Sequence, residues 1–208
     1  MVNCTKSMLF STEMVHALQT GRKTVTRRVV KPQPEPDYAA VSGMYRDSNG
    51  RLCAICHSCV GGIHTVYPPC DRGDILWVRE TWNCLPIPEP LRGTNKTYWY
   101  KADGAEPEDK WRPSIHMPRE AARIFLRVTG VRVERLRDMV LGDVLMEGIT
   151  EADTYESTWD RWHQTWNSTI EPKDLGSYGW EANPWVWVIS FERIEKPADW
   201  GTQGGKNG

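Results

Sequence analysis

Lys23 and Thr26 lie three residues apart in the segment Gly21-Arg22-Lys23-Thr24-Val25-Thr26-Arg27-Arg28. A threonine hydroxyl becomes a nucleophile only beside a base, and a lysine whose ammonium form is destabilised by desolvation can serve as that base. The segment reads as a helix closed by Gly21 and then a strand. That is the reverse of a phosphate-binding strand–loop–helix, and the G-x-x-x-x-G-K-[ST] spacing is absent. Arg22, Lys23, Arg27 and Arg28 form either a solvated basic strand end or a magnet for a phosphate or another anion. The carboxylate candidate is Glu147. A helix predicted over residues 138–146 leaves it facing the negative end of the helix dipole, just before Gly148. Such a place suits acid–base work, although a lone exposed glutamate there is more often just solvated.

Three further groups could carry chemistry. In Asp74-Ile75-Leu76-Trp77-Val78-Arg79-Glu80-Thr81-Trp82, period-2 geometry sets Ile75, Trp77 and Arg79 on one face and Leu76, Val78 and Glu80 on the other. Arg79, Glu80 and Trp82 emerge together at the strand end, where they could read a base edge and stack on its ring. In the proline-bracketed stretch from Trp111 to Arg119, the side chains of Arg112, Ser114 and His116 are able to line a pocket, or His116 simply makes a structural hydrogen bond. Cys53, Cys56, Cys59 and Cys70, with His57 and His64 between them, could close a tetrahedral structural zinc site. The alternative is a loop with free thiols. No open-site set of His and carboxylate ligands points to a catalytic metal, and Cys4 and Cys84 are expected to be ordinary thiols.

The elements that must position these groups follow from local pattern. Met8-Leu9-Phe10 reads as a strand, with Ser11 or Thr12 capping a helix that ends near Gly21. Residues 24–30 are β-branched and extended. Residues 37–72 read as a Cys-rich insertion without sustained periodicity. Short strands are expected at residues 75–78 and 97–100, a polar loop at 101–113, and an alternating strand over 124–136 with a bulge at Gly130. Residues 156–166 form a Trp-rich helix and 185–194 the strongest strand, before a Gly-rich tail from about 198. Most of the 11 tryptophans are expected in the core.

The 208-residue chain suits a single α+β domain over residues 1–197, and its 26 basic against 27 acidic side chains exclude a globally basic nucleic-acid coat. No apolar run approaches the roughly 20 residues needed to span a bilayer, and the start lacks signal-peptide features. No membrane association is expected, and the expected location is the cytoplasm.

Taken in order, Leu9-Phe10-Ser11-Thr12-Glu13-Met14, GRKTVTRR, GDILWVRETW, WRPSIHMPREAARIFLRV and NPWVWVISFERI resemble the ASCH-domain proteins of phages and prophages, from about residue 8 to residue 197. The resemblance implies a PUA-like mixed β-barrel with peripheral helices and long loop insertions, located in the host cytoplasm where the chain is phage-encoded. One branch of that superfamily, the N4-acetylcytidine amidohydrolases, uses a Lys, a Thr and a Glu, which match Lys23, Thr26 and Glu147. The implied activity removes an acyl group from the exocyclic N4 of cytidine or a related modified nucleoside or nucleotide, with no cofactor for catalysis. Arg27 or Arg79 would then support the oxyanion, and Glu80, Trp82, Arg112 and His116 would contact substrate. The alternative implied by the same kinship is a module that binds single-stranded RNA, or a ribonuclease, without amidohydrolase activity.

Overall fold

Ser11 accepts a hydrogen bond from the Met14 amide at 3.3 Å, so the chain turns directly from β1 (Thr5–Leu9) into α1 (Thr12–Gln19). Gly21, at φ +74°, takes the left-handed conformation that lets the chain leave α1 and enter β2 (Val25–Val29). The computed structural model describes residues 5–33, 41–57, 63–84, 97–104, 110–198 and 200.

The main sheet has five strands in the order β1-β6-β9-β10-β2, built with β6 (Ile75–Arg79), β9 (Phe125–Arg135) and β10 (Trp185–Ile194). β1 runs parallel to β6, and the other neighbours are antiparallel. Alternation on β10 divides the interior in two. Trp187 and Ile189 enter one core with Leu76, Val78, Leu126 and the α1 residues Val15 and Leu18. Val186 and Val188 enter the other with Val25, Leu136, Trp162 and Trp166.

The β9–β10 register pairs Gly130 with Ser190 and then Val128 with Phe191, which leaves Thr129 as an extra residue. That bulge changes the parity of β9. Leu126 and Val128 before it, and Val131 and Val133 after it, therefore all pack on the same core.

The stretch expected to lack regular structure differs from that expectation. β3 (Val41–Arg46), β4 (Leu52–His57) and β5 (Ile63–Val66) form an antiparallel three-stranded sheet. The cause is local: Asp47 accepts from the Asn49 and Arg51 amides at 2.9 Å each, and Gly50 sits at φ +75°. An Asp-Ser-Asn-Gly turn of this kind drives a hairpin where side-chain alternation is too weak to announce it. Ala54, Val66 and Cys70 then anchor this sheet on the main core.

β7 (Trp82–Cys84) and β8 (Tyr98–Tyr100) pair in a small separate ladder. α2 (Leu141–Met146) starts later than the sequence suggests, because the Asp143 carboxylate accepts from the Val140 amide at 3.0 Å and residues 136–138 form a 3₁₀ turn. α3 (Tyr155–Ser168) buries Thr158, Trp162 and Trp166, and α4 (Leu175–Tyr178) follows. Trp77, Trp82, Trp162, Trp166, Trp180, Trp187 and Trp200 are buried, so most of the indole surface is core. The described architecture is therefore α+β, dominated by strands, with no hydrogen-bonded pairing of β1 to β2 among the described residues. None of the described helices is long and apolar enough to cross a membrane.

Candidate functional site

The end of α2 docks on the end of α1, and this contact assembles the site. Thr24 donates its backbone N–H to the Met146 carbonyl at 2.9 Å, and Lys23 donates its own to Ala17 at 3.0 Å. Glu147 is the C-cap residue of α2, and Gly148 follows at φ +92°. A Cβ on Gly148 would stand 2.6 Å from Ala17 Cβ and 3.0 Å from Lys23 Cβ. Only glycine allows both the left-handed turn and the close approach of the two helix ends. Gly148→Ala is expected to lower stability by roughly 1–3 kcal/mol from backbone strain alone. Chemical denaturation of both proteins checks this, and an unchanged midpoint would refute it.

The turn carries Glu147 onto Lys23. Lys23 Nζ donates to Glu147 Oε2 at 2.5 Å and to the Glu147 carbonyl at 2.7 Å, with the side chains 2% and 4% exposed. Glu147 Oε1 accepts from Arg27 Nη1 at 3.2 Å. Arg27, also buried, donates through Nε and Nη2 to Glu134 Oε1 at 3.0 and 2.7 Å, and Nη2 lies 3.4 Å from Asp143. Arg132 closes the outer edge of this network on Glu134 at 3.0 Å.

Burial pulls the Lys23 ammonium below the ordinary lysine value; Glu147 opposes this, and the charges of Arg28 and Arg27 reinforce it. Arg27 moves the other way. Its burial is outweighed by Glu147, Glu134 and Asp143, which hold it charged. Glu147 is thus shared between a permanent cation and one whose proton is loosened.

Thr26 and Arg28 share the face of β2 opposite to Arg27, in register with Ile189 and Trp187 of β10. A cavity of about 390 Å³ opens along the outer edge of β2 and draws on both faces: it is lined by Lys23, Thr26, Arg27, Arg28 and Glu147, with Phe10, Trp162 and Trp166 as its aromatic walls. The Thr26 hydroxyl makes no hydrogen bond among the described residues. Trp166 Nε1 is spent on the Tyr178 carbonyl at 2.9 Å. Arg28 Nη2 donates to the Leu9 carbonyl at 2.9 Å, reaching from edge strand β2 to the end of edge strand β1. In the β2–β10 ladder, Phe191 N–H donates to Thr24 O and Val30 N–H to Trp185 O, so the even-numbered residues of β2 face β10. By that parity, the Arg27 backbone N–H points outward from the sheet edge.

The other sequence candidates are placed elsewhere. Arg79 is half-buried, donating Nε to the Met117 carbonyl at 3.2 Å, and lines a second cavity next to the first. Glu80 is buried, and both its oxygens accept from Arg123 at 2.9 Å, while Arg123 also pairs with Asp103. Trp82 is buried with Tyr100, Met117 and Ala121. Arg112 bridges to the Trp82 backbone with its guanidinium 5.2 Å from the indole, and His116 is exposed in a 3₁₀ turn. Glu80, Trp82, Arg112 and His116 are not among the described residues that line either cavity.

Cys53 and Cys70 are buried, and burial pushes the Cys70 thiol up to about 12. The Cys56 side chain, Cys59 and Cys4 lie outside the described residues, and Cys84 is partly exposed. Among the described residues no group of three or more His, Cys, Asp or Glu is placed to hold a metal ion.

Sequence reasoning missed Arg28 as a cavity residue, the walls Phe10, Trp162 and Trp166, and the carboxylates Glu134 and Asp143. Asp143 was findable, because it precedes Glu147 by four residues and so shares its side of the turn. A scan against protein-family models and searches of curated proteins and of solved structures found no match to this chain.

Proposed function

We propose that this protein is an amidohydrolase that removes an acyl group from the exocyclic N4 of a cytidine derivative. The observation that carries this reading is the buried Lys23–Glu147 pair opening, together with the unengaged Thr26 hydroxyl, onto one aromatic-walled cavity. Thr26 Oγ1 attacks the acyl carbonyl as neutral Lys23 Nζ takes its proton. Collapse of the tetrahedral intermediate breaks the C–N bond, and the Lys23 ammonium returns the proton to N4, releasing cytidine and leaving an ester on Thr26. Water, deprotonated by Lys23, hydrolyses that ester. The outward Arg27 N–H and the Arg28 guanidinium are the donors suited to the oxyanion, whereas the Arg27 guanidinium is already committed to carboxylates. Glu147 holds Lys23 in place, and its sharing with Arg27 keeps the lysine from being locked as an ammonium.

The reading extends to the fold. The Arg28 link from β2 to β1 supports a PUA-like incomplete barrel, in which a side chain spans the gap between the sheet edges. A structural zinc on Cys53, Cys56, Cys59 and Cys70 belongs to the same proposal, and metal analysis of the purified protein tests it.

The test is incubation with N4-acetylcytidine and longer N4-acyl cytidines, with cytidine followed by chromatography. Release supports the proposal. No release from any substrate, with salt-sensitive binding of an RNA oligonucleotide, would favour the nucleic-acid-binding alternative.

A pH profile adds a second check. The base form of Lys23 is the reactive one, so kcat/KM should rise with pH along a limb centred below the ordinary lysine value of 10.5. Arg28→Gln removes a charge that disfavours the ammonium, so it should move that limb upward. An unmoved limb would assign it to another group.

A further inference from the structure

The second cavity, a groove of about 790 Å³, adjoins the first and shares Leu9, Phe10, Arg27 and Arg28 with it. Its described lining contains cations and hydroxyls but no Asp or Glu. Arg28 donates Nη1 and Nη2 to the neutral carbonyls of Arg27 and Leu9, at 3.2 and 2.9 Å, which fix its direction, while Glu147 acts on its charge only from beyond 4.0 Å. Arg79 is held instead through Nε on Met117 O, with its guanidinium 5.2 Å from the Trp77 ring, which leaves its two terminal nitrogens without a hydrogen bond among the described residues. Lys31 is exposed and has no carboxylate within 4.0 Å among the described residues.

Elsewhere, arginines such as Arg46, Arg123 and Arg127 are paired with acids, and the chain carries a net charge of only -1. What distinguishes this groove is that Arg28, Lys31 and Arg79 converge on one cavity with no carboxylate within 4.0 Å of them among the described residues, beside Arg27, which is paired with Glu134, Asp143 and Glu147. The Arg79 fork, with no hydrogen bond on either terminal nitrogen among the described residues, matches the bidentate geometry of a phosphate, and Arg28 keeps one further N–H on each of its two terminal nitrogens. Arg28 follows Thr26 by two residues on the same strand face, about 7 Å along β2, within the length of one nucleoside.

We propose that this groove is a phosphate subsite, in which Arg28, Lys31 and Arg79 bind the phosphate of a nucleotide whose N4-acylated base occupies the cavity at Thr26. The inference rests on the amidohydrolase reading for the base and names the substrate class as phosphorylated. Hydroxyls of Thr81 and Ser114, on the groove wall, supply further donors. The phosphate belongs either to a mononucleotide or to a polynucleotide backbone.

Binding of the products separates this claim from the chemistry. Calorimetric titration of the full chain with CMP and with cytidine should show CMP binding at least about tenfold more tightly. In Arg79→Gln and in Lys31→Gln that advantage should shrink markedly. Equal affinities in the wild type, or an advantage untouched by both variants, would overturn the phosphate subsite. A CMP advantage without hydrolysis of any N4-acyl substrate would support the subsite and sink the amidohydrolase reading. Where hydrolysis occurs, kcat/KM for N4-acetyl-CMP should exceed that for N4-acetylcytidine. An N4-acetylcytidine oligonucleotide exceeding both identifies the polymer as the source of the phosphate.

Discussion

Thr26→Val is expected to abolish cytidine release from N4-acetylcytidine while leaving the thermal transition nearly unchanged. Valine keeps the shape of threonine, suits a strand, and pairs through the same backbone with Ile189. Only the hydroxyl is lost, and it makes no hydrogen bond among the described residues, so its removal leaves no partner unsatisfied. If that hydroxyl forms the acyl-enzyme, the substitution removes the bond-forming atom itself, and kcat should fall by at least about 10²–10⁴-fold, the scale of losing a positioned catalytic group. A mass increase of one acyl group on the wild-type protein after rapid quenching, absent from the variant, would tie the loss to covalent chemistry. Retention of wild-type turnover by Thr26→Val would refute the nucleophile assignment and leave direct attack by water as the chemistry to test.

Glu147→Ala should produce the largest loss of stability, about 3–5 kcal/mol, because it strips the partner from a buried charge. Lys23 would be left with the carbonyl of residue 147 as its remaining bonded oxygen, whereas Arg27 keeps Glu134 and Asp143. Most of the penalty therefore falls on Lys23. The double variant Lys23→Met, Glu147→Ala should recover part of the loss, since methionine fills the space without a charge to desolvate. Urea denaturation of both single variants and the double variant measures this coupling. A loss under 1 kcal/mol for Glu147→Ala would mean that Lys23 escapes burial by moving or by losing its proton, and that the pair does not hold the two helix ends together.

Local pattern carried much of the fold. Alternation placed Leu76 and Val78 opposite Ile75 and Trp77, and the structure divides them between two cores in that way. Gly130 marked the region of the bulge, Ser11 starts α1, and the last strand spans Trp185–Ile194 as its β-branched and aromatic run requires. The sheet formed by β3, β4 and β5 was not legible, because its hairpin is set by the Asp47–Gly50 turn and by long-range anchoring of Ala54 and Val66. Arg79 and Glu80 are adjacent in sequence at a strand end. Alternation sends them to opposite faces, and Glu80 is consumed by Arg123, whose contribution from 43 residues away no local pattern reveals.

The sequence by itself determined the chemical inventory: a lysine and a threonine on the approach to one strand, a carboxylate at a helix end, and a glycine after it. Those follow from residue type, spacing and backbone propensity, which act over a few residues. Only the tertiary structure decided that Glu147 meets Lys23 across 124 residues and Arg27 across 120, and that both are dry. That contact depends on docking the end of α2 against α1, where Gly148 removes the side chain that would hold them apart. Burial and charge pairing are properties of assembled surfaces, and they turn an ordinary basic strand end into one cavity lined by a loosened proton and an unengaged hydroxyl.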